Sequence, residues 1–199
     1  MYLWRKLTPE QRQELLRERI RAKRPWHHPP HLTIDGSASY LFTGACYEHR
    51  PHVGYSLERL DEFTGNLVGL FDILGLKVQA WVVLPNHYHL LAATADLRNI
   101  LRQLGRLHGR TSYIWNGEEN TRGRQVWHGV VETVMKSDAH LWATLNYVHH
   151  NPVKHGVVEY WQDWPFGSAN VYLDTVGRDE AKRIWSAYPV GDYGKSRDP

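Results

Sequence analysis

With 199 residues, 42% hydrophobic and 23% charged, the chain can bury a sizeable core, and one domain with appendages is the default. It has no run of about 18 apolar residues and no signal-peptide pattern at MYLWRKLTPE, which argues against membrane insertion and export and predicts a cytoplasmic protein. A single cysteine, Cys46, excludes an internal disulfide and zinc held through cysteines, and a net charge of +3 says little about a polyanionic partner until its distribution is read.

Residues 1–37 read as a basic helical extension with a connector. Thr8 or Pro9 starts a helix running to about Lys23, with Leu15, Leu16 and Ile20 apolar and Arg12, Arg17, Arg19, Arg21, Lys23 and Arg24 basic. WHHPPH at 26–31 follows as an irregular connector, its prolines opposing a compact metal site. The core opens with a strand at 40–48, where Cys46 lies in the apolar run YLFTGACY as a buried thiol. A helix at about 56–74 comes next, capped by Ser56 or Asp61. Two β-rich runs, 77–84 and 87–93, meet at the turn formers Pro85-Asn86 and read as a tight antiparallel hairpin.

A helix at 96–112 carries Leu97, Ile100, Leu101, Leu104 and Leu107 toward the sheet. It places Arg98, Arg102, Arg106 and Arg110 at four-residue spacing on the opposing side. Like charges four apart repel, so a polyanionic partner explains this stripe better than a merely solvated face. Residues 113–125, YIWNGEENTRGRQ, have the composition of a surface loop. A strand at 126–135 and a helix at 138–151, capped by Asp138 and disturbed by Pro152, complete the core. The order βαββαβ predicts an α+β class, with a ferredoxin-like antiparallel sheet and helices on one face, and N- and C-terminal extensions around a domain at 38–170. Residues 171–199 read as a C-terminal tail.

Two short motifs carry the chemistry. In WVVLPNHYHLLAA, residues 81–93, His87 and His89 are two apart on a strand and project from one face, where two imidazoles can grip one metal ion. In LNYVHHNPVKHGVV, residues 145–158, Tyr147 and Asn151 sit four apart on one helix face. Three alternatives stay open on the residues alone. Asn151 suits a helix C-terminus before Pro152, His149 or His150 competes as ligand or phosphate contact, and Tyr113 competes as nucleophile by residue type.

The pairing of PNHYHLL with NYVHHNPVKHG resembles the single-tyrosine HUH transposases, and within them the REP-associated tyrosine transposases, over about residues 38–170. The resemblance implies that His87, His89 and Asn151 bind a divalent metal, Mn2+ or Mg2+, and that Tyr147 is the nucleophile. It further implies nicking and strand transfer on single-stranded or hairpin DNA through a 5'-phosphotyrosine, with a monomer favoured over a homodimer. A hairpin-binding protein without turnover and a metal-dependent hydrolase are the competing classes. His155-Gly156 after NPVK and WPFGSA at 164–169 depart from the family's usual runs without touching the proposed site residues.

Overall fold

The computed structural model describes residues 36–191 and 193, together with Thr8, Glu10, Gln11 and Glu14. The chain divides into two compact units, residues 1–33 and 34–199. In the first, Glu10, Gln11 and Glu14 are helical, and Thr8 and Gln11 cap each other. The Thr8 N–H donates to Gln11 Oε1 at 2.8 Å, and the Gln11 N–H donates to Thr8 Oγ1 at 3.3 Å. The remainder of the expected basic helix and the WHHPPH connector lie outside the described residues.

The second unit follows the order β1 (Ala38–Cys46), α1 (Leu57–Ile73), β2 (Val78–Val83), β3 (His87–Thr94), α2 (Leu97–Glu118), β4 (Trp127–Val134), α3 (Asp138–Lys154), α4 (Ala169–Val176) and α5 (Arg178–Ala187). The strands form one antiparallel sheet in the order β2-β3-β1-β4, which is the ferredoxin-like arrangement. Helices α1 and α2 cover one face. Leu60, Phe63, Leu67 and Phe71 of α1 and Leu97, Ile100 and Leu104 of α2 are buried there with Tyr88, Leu90 and Ala92 of β3. Helix α3 covers the other face, where Leu145 and Val148 pack with Leu41, Val82 and Leu91. Among the described residues no helix is long and apolar enough to cross a membrane.

Local chemistry explains most boundaries. Ser56 caps α1 by accepting from the Arg59 N–H at 3.2 Å, and Asp96 caps α2 by accepting from the Asn99 N–H at 3.0 Å. Strand β1 stops at Cys46, two residues before the expected 48. Glu48 and His49 turn into the left-handed region, with φ of 54° and 52°, and pairing cannot continue. Cys46 is fully buried and burial pushes its thiol up to about 12, so it is an inert packing residue.

Three expectations fail for physical reasons. Helix α2 runs to Glu118, converting half of the expected 113–125 loop into helix. His108, Thr111 and Trp115 prolong its buried stripe, the Trp115 ring packs 5.9 Å from Phe63, and Glu118 and Glu119 pair with the buried Arg59 at 2.8 and 2.6 Å. Helix α3 is capped by Ser137, which accepts from the His140 N–H at 3.2 Å, while Asp138 occupies its first turn. Pro152 lies inside α3, which continues to Lys154. So close to the C-terminus, the proline removes only the bond its own N–H would have made one turn back.

Beyond residue 164 the chain covers one edge of the sheet and the back of α3. The Val83 N–H donates to the Phe166 carbonyl at 2.8 Å and the Ser168 N–H to the Trp81 carbonyl at 2.9 Å, so the WPFGSA segment covers the free edge of β2. The stretch expected as a tail adds α5 and most of α4. Ile184 of α5 is buried, and the Asn146 amide of α3 donates to the carbonyls of Ile184 at 3.3 Å and Tyr188 at 2.8 Å.

Candidate active site

The turn that delivers the first histidine is held from several sides. The Leu84 N–H donates to the His87 carbonyl at 2.8 Å, closing the hairpin. The Gly54 N–H donates to the Pro85 carbonyl at 2.9 Å and the Cys46 N–H to the Asn86 carbonyl at 2.7 Å. A Cβ on Gly54 would collide with Pro85, so only glycine lets these segments meet. The Asn86 amide also donates to the His49 carbonyl at 3.2 Å. With the turn fixed, strand alternation sends Tyr88 into the α1/α2 layer and turns His87 and His89 toward α3.

Helix α3 meets them with Tyr147 and Asn151, one turn apart. Tyr147 Oη lies 3.1 Å from His89 Nε2, and Asn151 Oδ1 lies 3.0 Å from His87 Nε2. The two imidazole rings are 5.1 Å apart at 75° to each other. All four side chains are buried, and the Asn151 amide nitrogen has no hydrogen-bond partner among the described residues. The opposite ring nitrogens are engaged as well: His87 Nδ1 lies 2.8 Å from Asn86 Oδ1, and His89 Nδ1 lies 2.8 Å from Thr43 Oγ1. The structure thus brings together the histidine pair, Tyr147 and Asn151. Because α3 continues past Pro152, Asn151 stands inside the helix and is not its terminal residue.

The same helix face extends in both directions. His140, Thr144, Tyr147, Asn151 and Lys154 follow at spacings of three or four, and Lys154 Nζ lies 5.1 Å from the Tyr147 ring centre. Tyr193 packs its ring 5.0 Å from Tyr147 and bonds through its hydroxyl to Thr144 Oγ1 at 2.6 Å and His140 Nε2 at 3.2 Å. His155 stands with its ring 4.8 Å from that of His87. Sequence reasoning missed Thr43, Asn86, Lys154, His155 and Tyr193 as neighbours of the site. Helical spacing from Tyr147 was signal enough for Lys154, whereas Thr43 becomes visible only through the β1–β3 register that pairs it with His89.

The competing residues are placed elsewhere. His149 points to the α4 side, its Nε2 lying 3.0 Å from Ser168 Oγ, and His150 lies against Trp185 with ring centres 5.2 Å apart. Tyr113 is exposed on α2, under the Arg122 guanidinium at 4.3 Å. The four arginines of the stripe, Arg98, Arg102, Arg106 and Arg110, are exposed along α2, on the sheet face opposite the histidine pair. Arg106 and Arg110 border a groove of about 440 Å³ between α1 and α2, with Asn66, Gln103 and the two open glycines Gly65 and Gly69.

No family model matches the chain. An Escherichia coli REP-associated tyrosine transposase is 27% identical to it over 124 residues, 58% of this chain and 64% of that one. A Haemophilus influenzae protein provisionally named a REP-associated tyrosine transposase is 28% identical over 135 residues, 57% of this chain and 70% of that one. The chain is similar to REP-associated tyrosine transposases. A solved REP-associated tyrosine transposase bound to a REP hairpin shares the fold, with a TM-score of 0.56 at 20% identity, over 81% of this chain and 90% of that one. The α+β reading of the sequence therefore matches the architecture of a REP-associated tyrosine transposase.

One of the buried histidines outside the cluster, His149, generates a pH prediction. Burial pushes His149 down to about 4 from an unfolded value near 6.5, so the unfolded chain binds a proton that the folded chain refuses. Its contribution is complete above about pH 6.5, declines as pH falls, and levels off once the folded group titrates. At pH 5 this amounts to roughly 2 kcal/mol of lost stability. In urea titrations at pH 7.5 and pH 5, His149→Gln should lose about that much less between the two pH values than the wild type.

Proposed function

We propose that this protein nicks and rejoins single-stranded DNA at hairpin-forming repeats, with Tyr147 as the nucleophile. The observation that carries the reading is the geometry between β3 and α3. Tyr147 Oη stands 3.1 Å from His89, and one helical turn on Asn151 stands 3.0 Å from His87, so a tyrosyl oxygen and three neutral donors converge in one place. The curated relatives are transposases by name, and the solved relative holds a REP hairpin, which supports a DNA-processing enzyme with a hairpin partner.

The donors fit a divalent cation. Ligands at about 2.1 Å from a six-coordinate ion stand about 3 Å apart when adjacent, which is the spacing of His87 Nε2 and Asn151 Oδ1. The unpartnered Asn151 amide nitrogen leaves that side chain engaged through its oxygen alone. Among the described residues no three His, Cys, Asp or Glu side chains gather as a metal site, so the set is two imidazoles and an amide. Imidazole donors favour Mn2+ over Mg2+. When bound, the cation would withdraw charge from a phosphate oxygen and, facing uncharged ligands, keep its own charge for the substrate.

The chain's own residues supply the rest. Helix α3 fixes the phenol rather than leaving it on a mobile loop, and the cationic Lys154 beside the ring favours negative charge on it. Attack by Tyr147 Oη forms a P–O bond to tyrosine and breaks the P–O bond to the 3' oxygen. One proton leaves the phenol and one is taken up by the released 3'-hydroxyl. The resulting 5'-phosphotyrosine exchanges one phosphodiester for another, so the reverse step rejoins strands without an external energy source. On this reading Tyr147 acts in cis, beside His89 of its own chain. Arg98, Arg102, Arg106 and Arg110 form a second phosphate-contacting face, remote from the cleavage point.

Two experiments test this reading. Single-stranded hairpins drawn from the gene's own neighbourhood, labelled at either end and incubated with Mn2+, should give a protein adduct carrying the 3' label that Tyr147→Phe abolishes while hairpin binding persists. Wild-type binding without an adduct would favour the binding module without turnover, and cleavage surviving in Tyr147→Phe would favour a hydrolase. Replacing Arg102 and Arg106 by alanine should flatten the slope of log affinity against log salt by about 1.5 to 2. An unchanged slope removes the stripe from the interface.

A further inference from the structure

We infer that Asn86 and Thr43 are positioning residues, Asn86 setting the tautomer of His87 and Thr43 standing ready to accept from His89 Nδ1, so that both rings can turn an Nε2 lone pair toward α3. The consequence for cation binding, and with it the His89 tautomer, rests on the reading given above, whereas the His87 tautomer follows from the hydrogen bonds themselves. The Asn86 amide nitrogen donates to the His49 carbonyl at 3.2 Å, which leaves its Oδ1 as a pure acceptor 2.8 Å from His87 Nδ1. Nδ1 therefore carries the hydrogen. A neutral imidazole has only one N–H, so His87 Nε2 presents a lone pair to Asn151 Oδ1, itself an acceptor, at 3.0 Å. Two acceptors so placed in a buried site would be satisfied by a positive centre between them.

At His89 the partner is a hydroxyl, 2.8 Å from Nδ1, which both donates and accepts. Tyr147 has the same freedom at Nε2, 3.1 Å away. When a cation takes the Nε2 lone pair, Nδ1 must carry the hydrogen, and Thr43 Oγ1 is in place to accept it. Both outer partners are anchored in the backbone. Thr43 pairs with His89 across β1 and β3. Asn86 is held by the Cys46 N–H at 2.7 Å and by the His49 carbonyl, which the left-handed Glu48 and His49, with φ of 54° and 52°, present to it. Two consecutive left-handed residues without glycine are costly, and fixing this turn gives that strain a purpose.

Nitrogen-15 NMR of the imidazoles in chelator-treated protein reads the tautomers without any metal or DNA. His87 is expected with its hydrogen on Nδ1 in the wild type and in Asn86→Asp, which keeps an acceptor, but as a mixture in Asn86→Ala. Calorimetric Mn2+ affinity should fall about 10- to 100-fold in Asn86→Ala and Thr43→Val and stay near wild type in Thr43→Ser. A wild-type His87 carrying its hydrogen on Nε2, or Mn2+ binding unchanged in both Asn86→Ala and Thr43→Val, overturns the inference. The expected His87 tautomer with no Mn2+ binding by the wild type would uphold the role of Asn86, overturn that of Thr43 and remove the cation from the proposed function.

Discussion

The contact between Gly44 and the Tyr88 ring pins β3 against β1, and the site depends on that register. The two residues are direct cross-strand partners, and a Cβ at Gly44 would overlap the ring. Tyr88 in turn is locked among Phe63, Trp127 and His108, its hydroxyl 3.1 Å from His108 Nε2, with His108 stacked on Trp127 at 4.2 Å. Slipping β3 by one residue would send Tyr88 to the α3 side and bury both histidines among the apolar residues of α1 and α2. The large aromatic between the two histidines thus acts as the peg that fixes their direction. Neither histidine need contribute to stability for the pair to be held, because the energy resides in the layer beneath them.

The second requirement is that α3 presents its polar face at the right height. Tyr147 must reach His89 while Asn151 reaches His87, and the antiparallel hairpin end and the helix turn match because residues two apart on a strand and four apart on a helix both span about 6 Å. Helix α3 is braced from behind by α5, through the Asn146 amide and the carbonyls of Ile184 and Tyr188. Tyr193 braces it along the site itself by bonding Thr144 and packing on Tyr147. The proposed nucleophile on a braced helix and the proposed ligands on a pinned strand are pre-oriented, which is how a protein lowers the entropic part of a barrier before any substrate arrives.

Much of this was legible in the residues. The H-x-H pair on a strand, the Tyr147–Asn151 interval, the Ser56 cap and the βαββαβ order all express local periodicity or local hydrogen bonding. What escaped depends on distant partners. The helical state of Tyr113 to Glu118 is decided by Trp115 meeting Phe63 and by the carboxylates that pair with Arg59, nearly sixty residues away. Pro152 ends a helix in isolation, yet near the C-terminus it forfeits only one bond and is buried against the rest of the fold. Thr43 gives no sign in sequence that it will face His89. The arginine stripe was visible as a stripe, but which sheet face α2 covers is a property of topology, and it sets those charges apart from the tyrosine.

The central claim is that Tyr147, and no other residue, becomes joined to DNA. Protease digestion of the covalent adduct followed by mass spectrometry of the nucleotide-bearing peptide tests it most directly. The account predicts a phosphonucleotide mass on the peptide containing Tyr147, with fragmentation placing it on that side chain. The same mass on the peptide of Tyr113, or on one carrying His149 or His150 without Tyr147, would contradict it.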